Sequence, residues 1–215
     1  MADMLVDVQS VPATPSAGQA TVYVDSVAKI ICVKNDAGLV QARSENASIA
    51  NQGAGFATDT WVTDSDILIP SFGFQVRTIF RWFISASKTA AGTATPIYNI
   101  RIGSARSVAD TARLTLTGPA QTAIADIGTL SIMVVVRSVG AAGVIQGTAW
   151  WNHRGTAANT TTSGTGFAND STGHIEGTSA GFDNSALSGQ YISLSMNGGT
   201  SASWTLTQVR EEAKW

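Results

Sequence analysis

The sequence predicts an all-β protein, an antiparallel β-sandwich preceded by an extended N-terminal arm and a small β-meander. Three observations carry that prediction. Short apolar and aromatic segments recur between joints rich in Gly, Ser and Thr, several of them alternate with a period of two, and no segment carries a convincing helical stripe. The nearest approach to a helical stripe is the terminal Val209–Trp215.

Residues 1–40 read as an arm and attachment meander. The first nineteen contain Pro12 and Pro15 and show little periodicity, which suits an extended, partner-ordered segment. Met1–Ser10 holds acids at Asp3 and Asp7 and no basic run, so it is not expected to act as a secretory signal. Thr21–Asp25 and Lys29–Lys34 are β-rich, and Asn35–Gly38 is a turn. Two or three short strands bury little, so the meander is expected to pack on a partner subunit or a larger assembly. Residues 41–56, mostly Ala, Ser, Asn and Gly, read as a linker or weak helix.

Residues 57–215 read as the sandwich. In Thr78–Ile84, alternation places Phe80, Trp82 and Ile84 on one face and Ile79, Arg81 and Phe83 on the other. In Gln190–Met196, Ile192, Leu194 and Met196 share a face opposite Tyr191, Ser193 and Ser195. Thr129–Val136 is apolar on nearly both faces, as a central strand would be. The absence of a fixed repeat argues against solenoids, propellers and long fibre shafts.

Composition narrows the function classes. Charged residues are only 13% of the chain and the net charge is −2, with the 13 Lys and Arg scattered along it. Nucleic acid, which needs a clustered basic surface, is therefore not expected as a partner. Membrane insertion is not expected either, because the apolar run Ile132–Val136 is far below the roughly 20 residues of a spanning helix. Cys32 is the only cysteine and reads as a small hydrophobe on a strand. The sequons at Asn46, Asn159 and Asn169 carry little weight without an export signal.

Candidate chemistry is sparse, and no cofactor or metal is expected. His153 and His174 lack metal-ligand spacing. Asp64-Ser-Asp66 offers two acids to a cation but lacks the third acid and the Gly of a calcium loop, so it reads as a turn. Gly177-Thr-Ser-Ala-Gly181 matches a nucleophile elbow at Ser179, yet no helix pattern follows it and His174 precedes the serine. Glu176 and Asp183 are a conceivable glycosidase pair whose separation sequence does not give. Of the six tryptophans, Trp150 and Trp151 should face opposite ways on one strand, leaving one off the core. With His153 and Arg154, and beside the long Gly155–Gly166 loop, they form the expected surface-contact end of the sandwich.

The run Pro12–Lys29 contains Gly18-x-x-Thr21-x-Tyr23-x-Asp25 and is followed by Lys34-x-Asp36-x-Gly38; it resembles the N-terminal segments of bacteriophage fibre and appendage proteins. Ser87–Thr95, Ile100–Gly103, Gln190–Ile192 and Ser203–Thr205 look like the jelly-roll modules of phage particle proteins. The resemblance implies a virion structural protein without enzymatic activity, assembled in the bacterial cytoplasm. It also implies a homotrimer that attaches to tail or capsid proteins by its N-terminus, with Pro12, Pro15, Val22, Tyr23 and Val24 as the attachment residues, and exposes the sandwich to a host-surface glycan. A capsid decoration (cement) protein and a polysaccharide-binding or polysaccharide-degrading adhesin are the alternatives.

Overall fold

The computed structural model describes residues 8–155, 174–199, 201 and 203–215, with the side chains of residues 54 and 153–155 also outside that description. Its described residues form an all-β sandwich. The strands are β1 (Val8–Gln9), β2 (Ala20–Asp25), β3 (Ile31–Asn35), β4 (Val40–Ala47), β5 (Gln52–Gly55), β6 (Thr60–Trp61), β7 (Ile67–Leu68) and β8 (Ile79–Lys88). They continue with β9 (Ile97–Gly103), β10 (Thr111–Thr117), β11 (Asp126–Ser138), β12 (Val144–Gly155), β13 (Ile175–Thr178), β14 (Tyr191–Asn197) and β15 (Trp204–Lys214). A ten-stranded sheet runs β1-β2-β3-β4-β15-β8-β11-β12-β13, with β5 also on β15; it packs on a five-stranded sheet ordered β10-β9-β14-β6, with β7 also on β14.

Alternation decides which side chains enter the core between the sheets. Phe80, Trp82 and Ile84 of β8 are wholly buried, as their period-two spacing requires, and Leu130, Ile132, Val134 and Val136 of β11 lie beside them. Three buried indoles find an acceptor where the sheets meet: Trp151 Nε1 donates to Tyr98 Oη at 2.7 Å, Trp204 Nε1 to Gln121 Oε1 at 2.8 Å and Trp82 Nε1 to the Ser65 carbonyl at 2.7 Å. These three rings add to the burial without leaving their N–H unpaired. At the β10 end the two sheets close on glycines. A Cβ on Gly147 would lie 2.6 Å from Leu114 Cδ2, and one on Gly177 would lie 2.8 Å from Leu116 Cδ2.

β14 departs from the expected half-buried strand. Ser193 and Ser195 are as buried as Ile192 and Leu194, because loops cover the outer face of the small sheet. Arg101 of β9 holds those loops: its Nε donates to Ser195 Oγ at 2.6 Å, and its guanidinium donates to the carbonyls of Val108 and Asp110 and pairs with Asp59. The Asp110 carboxylate in turn accepts from the backbone N–H of Ala105 and Arg106. A short serine is what lets a charged side chain lie flat over the strand.

Two further expectations are corrected by strand pairing. Residues 41–56 are neither linker nor helix: they form most of β4 and all of β5, which pair with β15 at Arg43–Ala47 and at Gln52 and Gly55. Val209–Trp215 has no helix, and its residues through Lys214 complete β15, paired with β8 along its length. A bulge between Leu206 and Gln208 resets the alternation, so that Val209, Glu211 and Ala213 point inward.

The N-terminal meander is therefore continuous with the large sheet, because β4 pairs β3 through Val40–Ala42 and β15 through Arg43–Ala47. The burial it was expected to need from another subunit is supplied within the chain. Tyr23, Cys32 and Val40 form a small core of their own, flanked by Phe72. Asp25, fully buried, locks the meander to the sandwich: its carboxylate accepts from Val27 N at 2.9 Å and Ala28 N at 2.7 Å, and from both the N–H and the hydroxyl of Ser71. Along the arm, Lys34 Nζ donates to the Pro12 carbonyl at 2.7 Å and Gly18 N to Asp36 at 2.7 Å.

Replacing Asp25 by Ala strands three backbone donors at that joint. Urea denaturation of Asp25→Ala should show a loss of about 3 kcal/mol. A loss below about 0.5 kcal/mol, the range of ordinary surface substitutions, would mean that the joint does not depend on Asp25.

Candidate contact surfaces

The register places every outward side chain of the large sheet on one face. Val33 lies opposite Gln41, Arg43 opposite Lys214, Lys214 opposite Ile79 and Ile79 opposite Val135, and each pair points to solvent. Three zones follow one another across this face.

The first zone is the outer face of the meander. Val22 pairs with Val33, and Val24 with both Val8 and Ile31. These five aliphatic side chains stand together with no charge among them, Val8 at 56%, Val22 at 51% and Ile31 at 67% exposure. Of the expected attachment residues, Val22 and Val24 belong to this zone. Tyr23 instead points inward and is fully buried, and Pro12 and Pro15 lie partly buried on the arm.

The second zone is cationic. Arg43 from β4, Arg81 from β8 and Arg210 from β15 surround Glu212, at 3.5, 3.0 and 3.7 Å, and Arg43 also reaches Glu45 at 3.0 Å. Lys214 of β15 and Arg77, just before β8, join them without an ion pair among the described residues. These cations are far apart in sequence, so reading along the chain missed them. Only the strand order β4-β15-β8 brings them together.

The third zone is a largely apolar platform on β8, β11 and β12. Phe83, Ser131 and Trp150 form one cross-strand row, Arg81, Met133 and Thr148 the next, and Ile79, Val135 and Gln146 a third. Arg210 lies 5.8 Å from the centroid of the Phe83 ring. Trp150 stands on the outside and Trp151 in the core, as alternation within β12 dictates. His153 and Arg154 continue β12 opposite Gly128 and Ile127, but their side chains and residues 156–166 of the neighbouring loop lie outside the described residues, as do Asn159 and Asn169.

The other chemical candidates have structural places. Ser179 is buried with its Oγ accepting from Ile145 N at 3.1 Å, on extended backbone after β13. His174 pairs with Glu176 at 2.9 Å, and Asp183 accepts from Ser185. In Asp64-Ser-Asp66, Ser65 closes a turn through its hydroxyl to the Val62 carbonyl at 2.7 Å, while Asp66 pairs with Arg106 at 2.7 Å. Among the described residues no group of three His, Cys, Asp or Glu side chains forms a metal site. No family model matches the chain, and no curated protein matches it.

Beneath the cationic zone lies a buried carboxyl without a counter-charge among the described residues. Glu211 of β15 points inward, 4% exposed, and its Oε2 has no hydrogen-bond partner among the described residues. Burial above all, and then the carboxylates of Asp66, Glu45 and Glu212, push its pKa up from 4.5 to about 7. The folded protein thus keeps a proton that the unfolded chain releases, so Glu211 favours folding fully below pH 4.5 and loses that contribution as pH rises through about 7. Glu211→Gln should match the parent near about pH 4 and exceed it by about 2 kcal/mol near about pH 8 in urea titrations. An equal difference at both pH values would show that the side chain does not titrate in this range.

Proposed function

We propose that this chain is a structural protein of a bacteriophage particle, fixed to its neighbours through the outer face of the N-terminal meander and presenting the sandwich platform to the host surface. The observation that carries the reading is the uncharged aliphatic face of Val8, Val22, Val24, Ile31 and Val33. A solvent-facing sheet surface is ordinarily polar, and a contiguous apolar one marks a partner. Val22 and Val24 of this face lie in the run that resembles phage appendage proteins. The platform around Phe83 and Trp150 offers aromatic and apolar area of the kind that stacks on sugar faces, which supports contact with a host glycan.

The test is incorporation into particles. Val22→Asp and Ile31→Asp change exposed side chains and should leave the circular dichroism spectrum and melting temperature unaltered, yet lower the amount of protein in purified particles about ten-fold, the effect of losing roughly 1.4 kcal/mol of contact. Ile49→Asp, on an almost fully exposed side chain outside the face, should be incorporated normally. Normal incorporation of both meander variants would move attachment elsewhere, and absence of the parent protein from particles would overturn the reading. The copy number separates a head decoration, matching the capsomers, from a tail fibre.

A further inference from the structure

A groove opens on the outer face of the large sheet at the end of β15, between β4 and the start of β8. It has two compartments that share Gln41, Ile79, Lys214 and Trp215. The first, about 620 Å³, carries Arg43, Arg81 and Lys214 against the single acid Glu212. The second, about 550 Å³, is walled by the exposed side chains of Leu39 and Val76, with Arg77 at its border. Both volumes fall in the range of about 300–1,000 Å³ typical of small-ligand sites.

The two halves ask for different things from a ligand. In the first, Arg43 and Arg81 are already engaged by Glu212, whereas Lys214 is in no ion pair among the described residues, so an incoming anion would meet an uncompensated cation. In the second, the side chains of Leu39 and Val76 are more than half exposed, and covering them is favourable by about 25 cal/mol per Å². Trp215 lies under both halves, 8% exposed, and its Nε1–H has no acceptor among the described residues. Its ring is held by Phe72, Phe74 and Phe80, so the floor is rigid.

From this juxtaposition we infer that the groove binds an anionic amphiphile, with a phosphate or carboxylate head at Lys214, beside Arg43, and an aliphatic chain along Leu39 and Val76. A free anion leaves the aliphatic walls wet, and a neutral amphiphile leaves Lys214 and Arg77 without a counter-charge. The binding itself is independent of the proposed particle role. Only the source of such a molecule, an envelope lipid of the host, rests on that role.

The experiment is calorimetric titration of the purified full chain with octyl phosphate, octyl glucoside and inorganic phosphate, each below its micellar concentration. Octyl phosphate should bind at least about ten-fold more tightly than either of the other two. Lys214→Glu and Val76→Asp, both at exposed positions, should each weaken it about ten-fold, while Ile49→Asp leaves it unchanged. Raising the salt concentration should weaken octyl phosphate and not octyl glucoside. Equal binding of octyl glucoside, equal binding of inorganic phosphate, no binding of octyl phosphate, or indifference to Lys214→Glu would each overturn the inference. Stronger binding of a short peptide alternating Asp and Leu would reassign the groove to an acidic polypeptide. None of these outcomes touches particle incorporation, which is read separately.

Discussion

Everything on the outer face depends on one strand being paired on both edges. β15 lies against β8 from Trp204 to Lys214, and its other edge is divided between β5 and β4. Without the β4 half of that edge, β1 to β4 would be a separate four-stranded unit with a core of three residues, too small to hold itself together. With it, ten strands form one sheet, and the aliphatic, cationic and apolar zones become neighbours on a single surface. The bulge between Leu206 and Gln208 is part of the same constraint, because it sets which residues of β15 face in.

That constraint also explains the burial of Glu211. The alternation that buries Val209 and Ala213 buries the residue between them, whatever its charge. The chain keeps a carboxyl there while surrounding the same stretch of β15, on the solvent side, with arginines that engage Glu212 and Glu45. A glutamine would be easier to bury, so the carboxyl costs stability at alkaline pH.

The parts of the fold legible in the sequence are those whose strands have one apolar face. Phe80, Trp82 and Ile84 announce β8, and the Trp150–Trp151 step announces that one indole leaves the core, while the pairing shows it to be Trp150. β4 was not legible because Val40–Ala47 alternates between solvent and a thin sheet margin, so its side chains carry no stripe; its strand character comes from pairing with β15. The end of β15 was obscured by Arg210-Glu211-Glu212, where a buried acid breaks the apolar alternation. The serines of β14 read as polar although both faces are covered, because the cover is a loop pinned by Arg101, over ninety positions away from Ser195. The cationic zone was hidden for the same reason: sequence scatter at Arg43, Arg77, Arg81, Arg210 and Lys214 becomes proximity only through strand order. The aliphatic meander face was half visible, since Val22 and Val24 were singled out as attachment residues, and only the pairing shows that Tyr23 between them belongs to the core.

In the proposed particle role the two ends of one continuous face differ in kind, one covered by the particle and the other open to the host. Hydroxyl-radical footprinting of the protein, free and in purified particles, measures that difference side chain by side chain. Val22 and Ile31 should lose most of their labelling on assembly while Trp150 and Met133 keep theirs. Unchanged labelling at Val22 and Ile31, or protection of Trp150 and Met133 instead, would contradict the proposed role.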